Sequence, residues 1–273
     1  QIGVFLTYAA GRAATFLDRE LYLPASWTDD PDRCAEAGVP EGVGFATKPE
    51  LALRMLDRAL VAGVPARWVT ADAIYGEYSA LRQLLERNGR GYVLGVSRKG
   101  WVPSDGQARR VGSLLDRLPR EGGWTRLSVG DGAKGQRVYD WRRERLPGPA
   151  PAGWERWLLG RRSVSDPREL KPFVCFVPVG TSLATLARVA ASRWTVEQCF
   201  EEAKGEVGLD EYEVRTWPAW YRHITLSCLA HAFLAVLRAT EPESAEALKK
   251  GGPLTTRTGS LARFRASRGL SSP

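Results

Sequence analysis

An apolar run, Ile2-Gly3-Val4-Phe5-Leu6, opens the chain, and a second run over 14–23 alternates apolar with polar positions. Across Ala9-Ala10-Gly11-Arg12 the two predict a β-hairpin. A turn-rich passage follows, where Asp29-Asp30 stands directly before Pro31, the setting of a helix cap or turn rather than of a metal site. Thr47-Lys48-Pro49-Glu50 has the form of a capping box, and the apolar positions Leu51, Met55, Leu56, Ala59 and Leu60 predict a helix to about residue 61, ended by Gly63 and Pro65. Residues 68–71 then read as a buried strand that ends on Asp72. A helix over 78–88 and a strand over 92–96 come next.

From about residue 100 the pattern changes. Gly, Pro and Trp punctuate short alternating runs such as Trp124-Thr125-Arg126-Leu127-Ser128-Val129, which predicts a β-rich insertion with a Pro/Gly-rich loop at 146–153. Phe173-Val174-Cys175-Phe176-Val177 returns to a core strand, before one long helical region over 183–207 and another over 220–239. The last residues, from 249 on, are basic and Gly/Ser-rich, the composition of a flexible tail. Strands alternating with helices give an α/β class, a mixed sheet flanked by helices. Four segments are expected: a first part of the core at 1–97, a basic Trp-rich β insertion at 98–171, a second part of the core at 172–239 and a tail at 240–273.

Composition narrows the function. No apolar stretch approaches the roughly 20 residues of a membrane span and nothing resembles a signal peptide, so no membrane and a cytoplasmic location are expected. Cys34, Cys175, Cys199 and Cys228 are scattered without a C-x-x-C pair, which argues against zinc and disulfides. The net charge of +8 is concentrated: 98–171 holds 17 Lys/Arg against 9 Asp/Glu, a difference of 17 − 9 = +8, and five of the ten Trp. Guanidinium groups bind phosphates and indoles offer faces to unstacked bases, so this segment favours nucleic acid, with Trp124, Trp141, Arg142 and Arg143 as candidate DNA-binding residues. His223 and His231, eight residues apart on a predicted helix, have no partner at ligand spacing and read as core or capping residues.

The stretch Arg193-Trp194-Thr195-Val196-Glu197-Gln198-Cys199-Phe200-Glu201-Glu202-Ala203-Lys204 carries the most chemistry. On one continuous helix Arg193, Glu197 and Lys204 share a narrow stripe, with Val196, Phe200, Ala203 and Val207 as an apolar stripe beside it. Surface salt bridges on an amphipathic helix would give the same pattern.

The spacing Arg-x-x-x-Glu-x-x-x-x-x-x-Lys resembles the signature of DDE-type transposases of bacterial insertion sequences, and Trp68-Val69-Thr70-Ala71-Asp72-Ala73-Ile74-Tyr75-Gly76 resembles the motif around their second Asp. The family's signature Tyr falls on Ala190, a departure that leaves that DNA contact without its residue. The resemblance implies an RNase H-like fold in which two Asp and one Glu hold two divalent metals. It makes Asp72 and Glu197 the second and third catalytic, metal-binding carboxylates, and Arg193 and Lys204 contacts to DNA phosphates. The implied cofactor is Mg²⁺, for which Mn²⁺ can substitute, since hard cations take oxygen ligands and paired ions assist in-line phosphoryl displacement. The implied partners are double-stranded DNA, as insertion-sequence ends and target, and a second subunit in the synaptic complex.

On the same resemblance the first Asp belongs to a strand before Ile2. Gln1 reads as a cut inside a longer protein; Asp18, in mid-hairpin, does not replace the missing carboxylate. Two consequences are expected of these 273 residues: no catalysis, and low stability from a gap left beside the N-terminal hairpin. A non-catalytic DNA-binding remnant is the alternative, and the coding DNA upstream separates the two.

Overall fold

The structure, a computed structural model, describes residues 1–11, 13–119, 122–132, 135–240 and, as a backbone strand, 261–268. It divides into two compact units, 1–66 with 195–273 and 67–194.

In the first unit β1 (Ile2–Ala10) and β2 (Ala13–Tyr22) form the expected hairpin. The short helices α1 (Ala25–Thr28) and α2 (Pro31–Glu36) follow, and Asp30 caps α2 by accepting from the Arg33 amide at 3.0 Å, as its place before Pro31 implied. Helix α3 (Lys48–Val61) starts at the predicted capping box, where Thr47 accepts from the Glu50 amide and Glu50 from the Thr47 amide. It packs on β1 and β2, and Arg58 bridges to Asp18 at 2.8 Å and Glu20 at 2.5 Å, which gives Asp18 a structural ion pair.

Helices α8 (Thr195–Val207) and α9 (Trp217–Thr240) complete this unit. Val196, Cys199, Phe200 and Ala203 of α8 are buried with Phe5, Phe16, Leu21, Trp220 and Ile224, and the Phe200 ring lies 5.2 Å from Phe5 and 4.9 Å from Phe16. His223 Nε2 lies 3.0 Å from the Gly208 carbonyl just past the end of α8, a capping role. His231 is 1% exposed, with Thr15 Oγ1 3.4 Å from Nδ1 and the Glu202 carboxylate 3.5 Å from Nε2.

Burial holds the His231 imidazole below its ordinary pKa of 6.5, against the pull of Glu202 and Glu206 and with the help of Arg238. The unfolded chain therefore takes up a proton here before the folded one does, and stability is lost as pH falls below about 6.5. Thermal melts from pH 8 to 5 should show a declining Tm that His231→Gln flattens; an unchanged slope in the variant would count against this assignment.

The strand β11 (Leu261–Arg268) pairs antiparallel along β1, from Ile2 opposite Arg268 to Ala9 opposite Leu261, so this sheet runs β2-β1-β11. Two expectations change here. The edge of β1 that was to border a gap carries a strand. The tail expected from residue 240 contains a strand, while its residues 241–260 and 269–273 lie outside the described residues.

The second unit holds β3 (Trp68–Ala71), α4 (Ala73–Gly76), α5 (Ser79–Arg87), β4 (Gly91–Gly95), a separate two-stranded hairpin of β5 (Trp101–Ser104) and β6 (Gln107–Arg110), α6 (Val111–Leu115), β7 (Thr125–Gly132), β8 (Gly135–Arg145), β9 (Trp154–Ser163), β10 (Leu170–Pro178) and α7 (Leu183–Ser192). Its mixed sheet runs β3-β4-β10-β9-β8-β7, parallel between β3 and β4 and antiparallel elsewhere. Six strands flanked by helices are the RNase H-like architecture the sequence implied. The basic segment thus adds three strands, β7 to β9, to the sheet that holds β4 and β10. Strands β3 and β4 are buried along their whole length, as a parallel pair covered on both faces must be.

One helical prediction fails. The region expected to run unbroken over 183–207 is two helices, with turn geometry at Arg193 and Trp194. Ser192 Oγ donates to the Val189 carbonyl at 2.6 Å, and the Trp194 amide reaches Ala191 in the tighter three-residue register. A serine that bonds back to its own helix competes with the next turn and bends the chain.

A second concerns apolar length: α9, 24 residues long with an 18-residue stretch of mean hydropathy 1.3, is long and apolar enough to cross a membrane by length and composition, contrary to the reading that no stretch comes near.

Candidate active site

Asp72 follows the last residue of β3 and stands at the N-cap of α4, where its side chain makes no capping hydrogen bond. The turn behind it is fixed by close backbone approach. A Cβ on Gly76 would lie 2.0 Å from the Gly95 carbonyl oxygen, so α4 seats against the end of β4 only because residue 76 has no side chain. Tyr75 is fully buried beside this turn, and burial, with the Asp72 charge adding to it, pushes its hydroxyl pKa upward. Arg82 of α5 donates to the Gly76 carbonyl, and Glu77 accepts from the Ser97 amide at 2.7 Å. A strand, a one-turn helix and these two bonds thus hold the Asp72 backbone at the carboxyl end of a parallel strand pair, where open α/β sheets place ligands.

Glu197 occupies the first turn of α8, and the helix dipole there favours a negative charge. Its neighbours Val196, Cys199 and Phe200 fix the helix to the core, so the predicted apolar stripe is correct even though the helix starts later than expected. Lys204, further along α8, pairs with Asp210 at 3.0 Å. Arg193 caps the end of α7 instead of sharing a helix with Glu197. It lies near Arg161, whose guanidinium is held below its ordinary pKa first by burial and also by the Arg193 charge. Asp72 and Arg193 belong to the second unit, Glu197 and Lys204 to the first.

The structure redistributes the candidate DNA-binding residues. Trp141 has no exposed surface and packs edge-on to Tyr139 at 6.3 Å and near Phe173 at 6.3 Å; it offers no face to a base, and this assignment is corrected to a core role. Trp124 is covered on one face by the Arg162 guanidinium at 4.4 Å, and its Nε1 donates to the Pro119 carbonyl. Arg143 donates to the Thr181 carbonyl and stacks over Trp157 at 4.3 Å, and Arg142 donates to the Gly122 carbonyl at 3.2 Å. Together with Arg161 over Tyr139, these pairs spend much of the segment's Arg and Trp on one another. Trp141→Ala should cost about 3–5 kcal/mol of stability, as loss of a fully buried indole does, and leave the DNA affinity of the folded fraction unchanged. Chemical denaturation and a binding titration check the two halves of that expectation.

Residues 1–145 match the model of the family described as DDE superfamily endonuclease. The chain belongs to that family. No curated protein matches it. In this DDE superfamily endonuclease the matched residues include Asp72 and its turn, whereas Glu197 lies beyond them.

Asp72 and Glu197 offer the hard oxygen donors that Mg²⁺ takes; in donor type these residues fit the implied metal. Among the described residues no three His, Cys, Asp or Glu side chains gather as a metal-binding group.

Sequence reasoning also passed over a groove of the second unit. A cavity of about 720 Å³ lies between α5 and the β5–β6 hairpin, lined by Arg82, Lys99, Trp101, Gln107 and Arg156 among others. Trp101, 57% exposed, is the most open of the five Trp of 98–171. A neighbouring cavity of about 400 Å³ carries Arg109, Arg117, Arg142 and Arg145 beside Asp105 and Glu144. The signal for Trp101 was its position on an exposed face of a short strand with alternating burial, which composition alone does not reveal.

Proposed function

We propose that this endonuclease is the transposase of a bacterial insertion sequence, acting in the cytoplasm on double-stranded DNA with Asp72 and Glu197 as metal-holding carboxylates. The observation that carries the reading is Asp72 itself: a carboxylate at the carboxyl end of a buried parallel strand pair, inside the residues that match the family, on a turn built to hold it still. Bound divalent metal, Mg²⁺ or in its place Mn²⁺, would supply charge stabilisation to the attacking and leaving oxygens of a phosphoryl displacement. The chain's own part is to present the two carboxylates and to grip the backbone of the element's ends. Arg193, near the half-buried Arg161, and Lys204, paired with Asp210 at 3.0 Å, are suited to phosphates. The groove at Trp101 and the arginine-lined cavity beside it, both within the second unit, offer further cations suited to phosphates, and two ends brought together call for two subunits.

The test is an assay of the complete reading frame's product on duplexes that carry the element's own ends. Cleavage at the ends and joining of the freed 3′ strand to a second duplex are expected with Mg²⁺ or Mn²⁺, and neither with EDTA. Equal cutting of random duplex, or cutting confined to RNA in a hybrid, would replace the proposal with that of a general nuclease. Because cations neutralise phosphates, end binding should weaken steeply between 50 and 200 mM salt, by about tenfold or more.

A further inference from the structure

The outward side of α9 has no role in the chemistry above and is unlike the rest of the surface. Leu226, Leu229, Phe233 and Val236 are 60%, 65%, 63% and 59% exposed. They recur at intervals of three, four and three residues, the spacing of a coiled-coil seam. The inward side is separate: Trp220, Ile224, Ser227, His231 and Ala235 are buried in the unit. Thr225, Ala230 and Ala232 flank the seam with small side chains that permit an interaxial distance of about 8–10 Å. Residues 223–237 hold no Asp, Glu, Lys or Arg. A helix apolar all round is normally covered all round.

We infer that this side of α9 is a self-association surface that seats the same helix of a second copy, antiparallel. A membrane is the poorer occupant, since the uncharged run of 15 residues spans only about 22 Å of helix against a hydrocarbon core of about 30 Å, and one side of it is already buried in protein. The seam is its own complement about a point near residue 231. Antiparallel pairing sets Leu226 opposite Val236 of the second copy and Leu229 opposite Phe233. It also brings the exposed Arg222 to the C-terminal turn of the other α9, where the helix dipole is negative and Glu202 and Glu206 converge on Arg238 at 2.7 Å. The five large apolar side chains here, Leu237 included, expose on the order of 500 Å², at the upper end for a monomer's largest apolar patch. With their flanks they approach the roughly 800 Å² per partner of a stable interface.

The inference deepens the transposase reading, which needs two subunits, but its test contains no DNA and fails or succeeds separately. Sedimentation velocity of the protein from about 1 to 100 µM should show a dimer that Leu229→Lys with Phe233→Lys converts to monomer, shifting the dissociation constant by at least about 100-fold. Val61→Lys, at a lone apolar residue 83% exposed elsewhere in this unit, should leave the dimer intact. A circular-dichroism melt confirms that the double variant is folded. As a second readout, a mixture of Leu229→Cys and Phe233→Cys chains should cross-link, whereas Leu229→Cys alone should not cross-link to itself. A monomer throughout the range, a dimer that the lysines leave untouched, self-linking of Leu229→Cys, or vesicle binding as the only property the lysines remove would each overturn the inference.

Discussion

Gly76→Ala should yield a protein without a cooperative melt of the 67–194 unit, a loss above about 4 kcal/mol, because the added carbon meets backbone rather than a side-chain end. The added carbon would stand 2.0 Å from the Gly95 oxygen, 3.0 Å from Leu94 Cβ and 3.1 Å from the Gly95 carbonyl carbon. Two of those atoms are backbone of β4, a strand buried on both faces between β3 and β10, so no flexible side-chain end can swing aside. Relief requires α4 to lift from the sheet, which also strips the Gly76 carbonyl of its bond from Arg82 and uncovers Tyr75. Gly44→Ala, where an added Cβ meets nothing within 4 Å, is the control and should hold its stability within about 0.5 kcal/mol. Denaturant titration decides the matter: a Gly76→Ala midpoint close to the parent's would mean that α4 stands clear of Gly95, and that the turn bearing Asp72 is looser than its contacts imply.

Much of this architecture was legible because its causes are local. The hairpin of β1 and β2, the capping box at Thr47, the cap at Asp30 and the strand ending on Asp72 each follow from a few consecutive residues. Where the sequence misled, the cause was distant or competing. The apolar periodicity of 183–207 runs straight through Arg193, and the turn there, with Ser192 bonded back to Val189 and the Trp194 amide to Ala191, has no signal in that periodicity. Strand β11 pairs residues more than 250 positions apart, and backbone pairing leaves no mark in a basic, Gly/Ser-rich composition that otherwise suits a tail. The indoles of 98–171 were counted as one class, yet which face of a strand each occupies decides its role: Trp141 lies in the core and Trp101 faces solvent. The positions of Asp72 and Glu197 were readable from motif, whereas the role of Gly76 became visible only with Gly95 beside it.

Asp72→Asn is the substitution that separates chemistry from scaffold most sharply. Asparagine keeps the shape of the side chain and removes the charge at the N-cap of α4. Asparagine is itself a favoured N-cap residue, so stability should move far less than on Gly76→Ala four residues on. Cleavage of the element's ends should fall by at least about 10³-fold, equivalent to roughly 4 kcal/mol of barrier, because a neutral amide holds a divalent cation far more weakly than a carboxylate. End binding should persist, since it rests on cations such as Arg193 and Lys204 and a lost negative charge near phosphates does not oppose it. Glu197→Gln should reproduce the pattern from the other unit, with a similar loss of cleavage and intact binding. If both carboxylates serve one reaction, the double variant loses no more than either single one, as groups that act as a unit do. Losses that multiply instead would show two independent contributions, and a variant at either position that still cuts at a tenth of the parent rate would remove that residue from the metal-holding set.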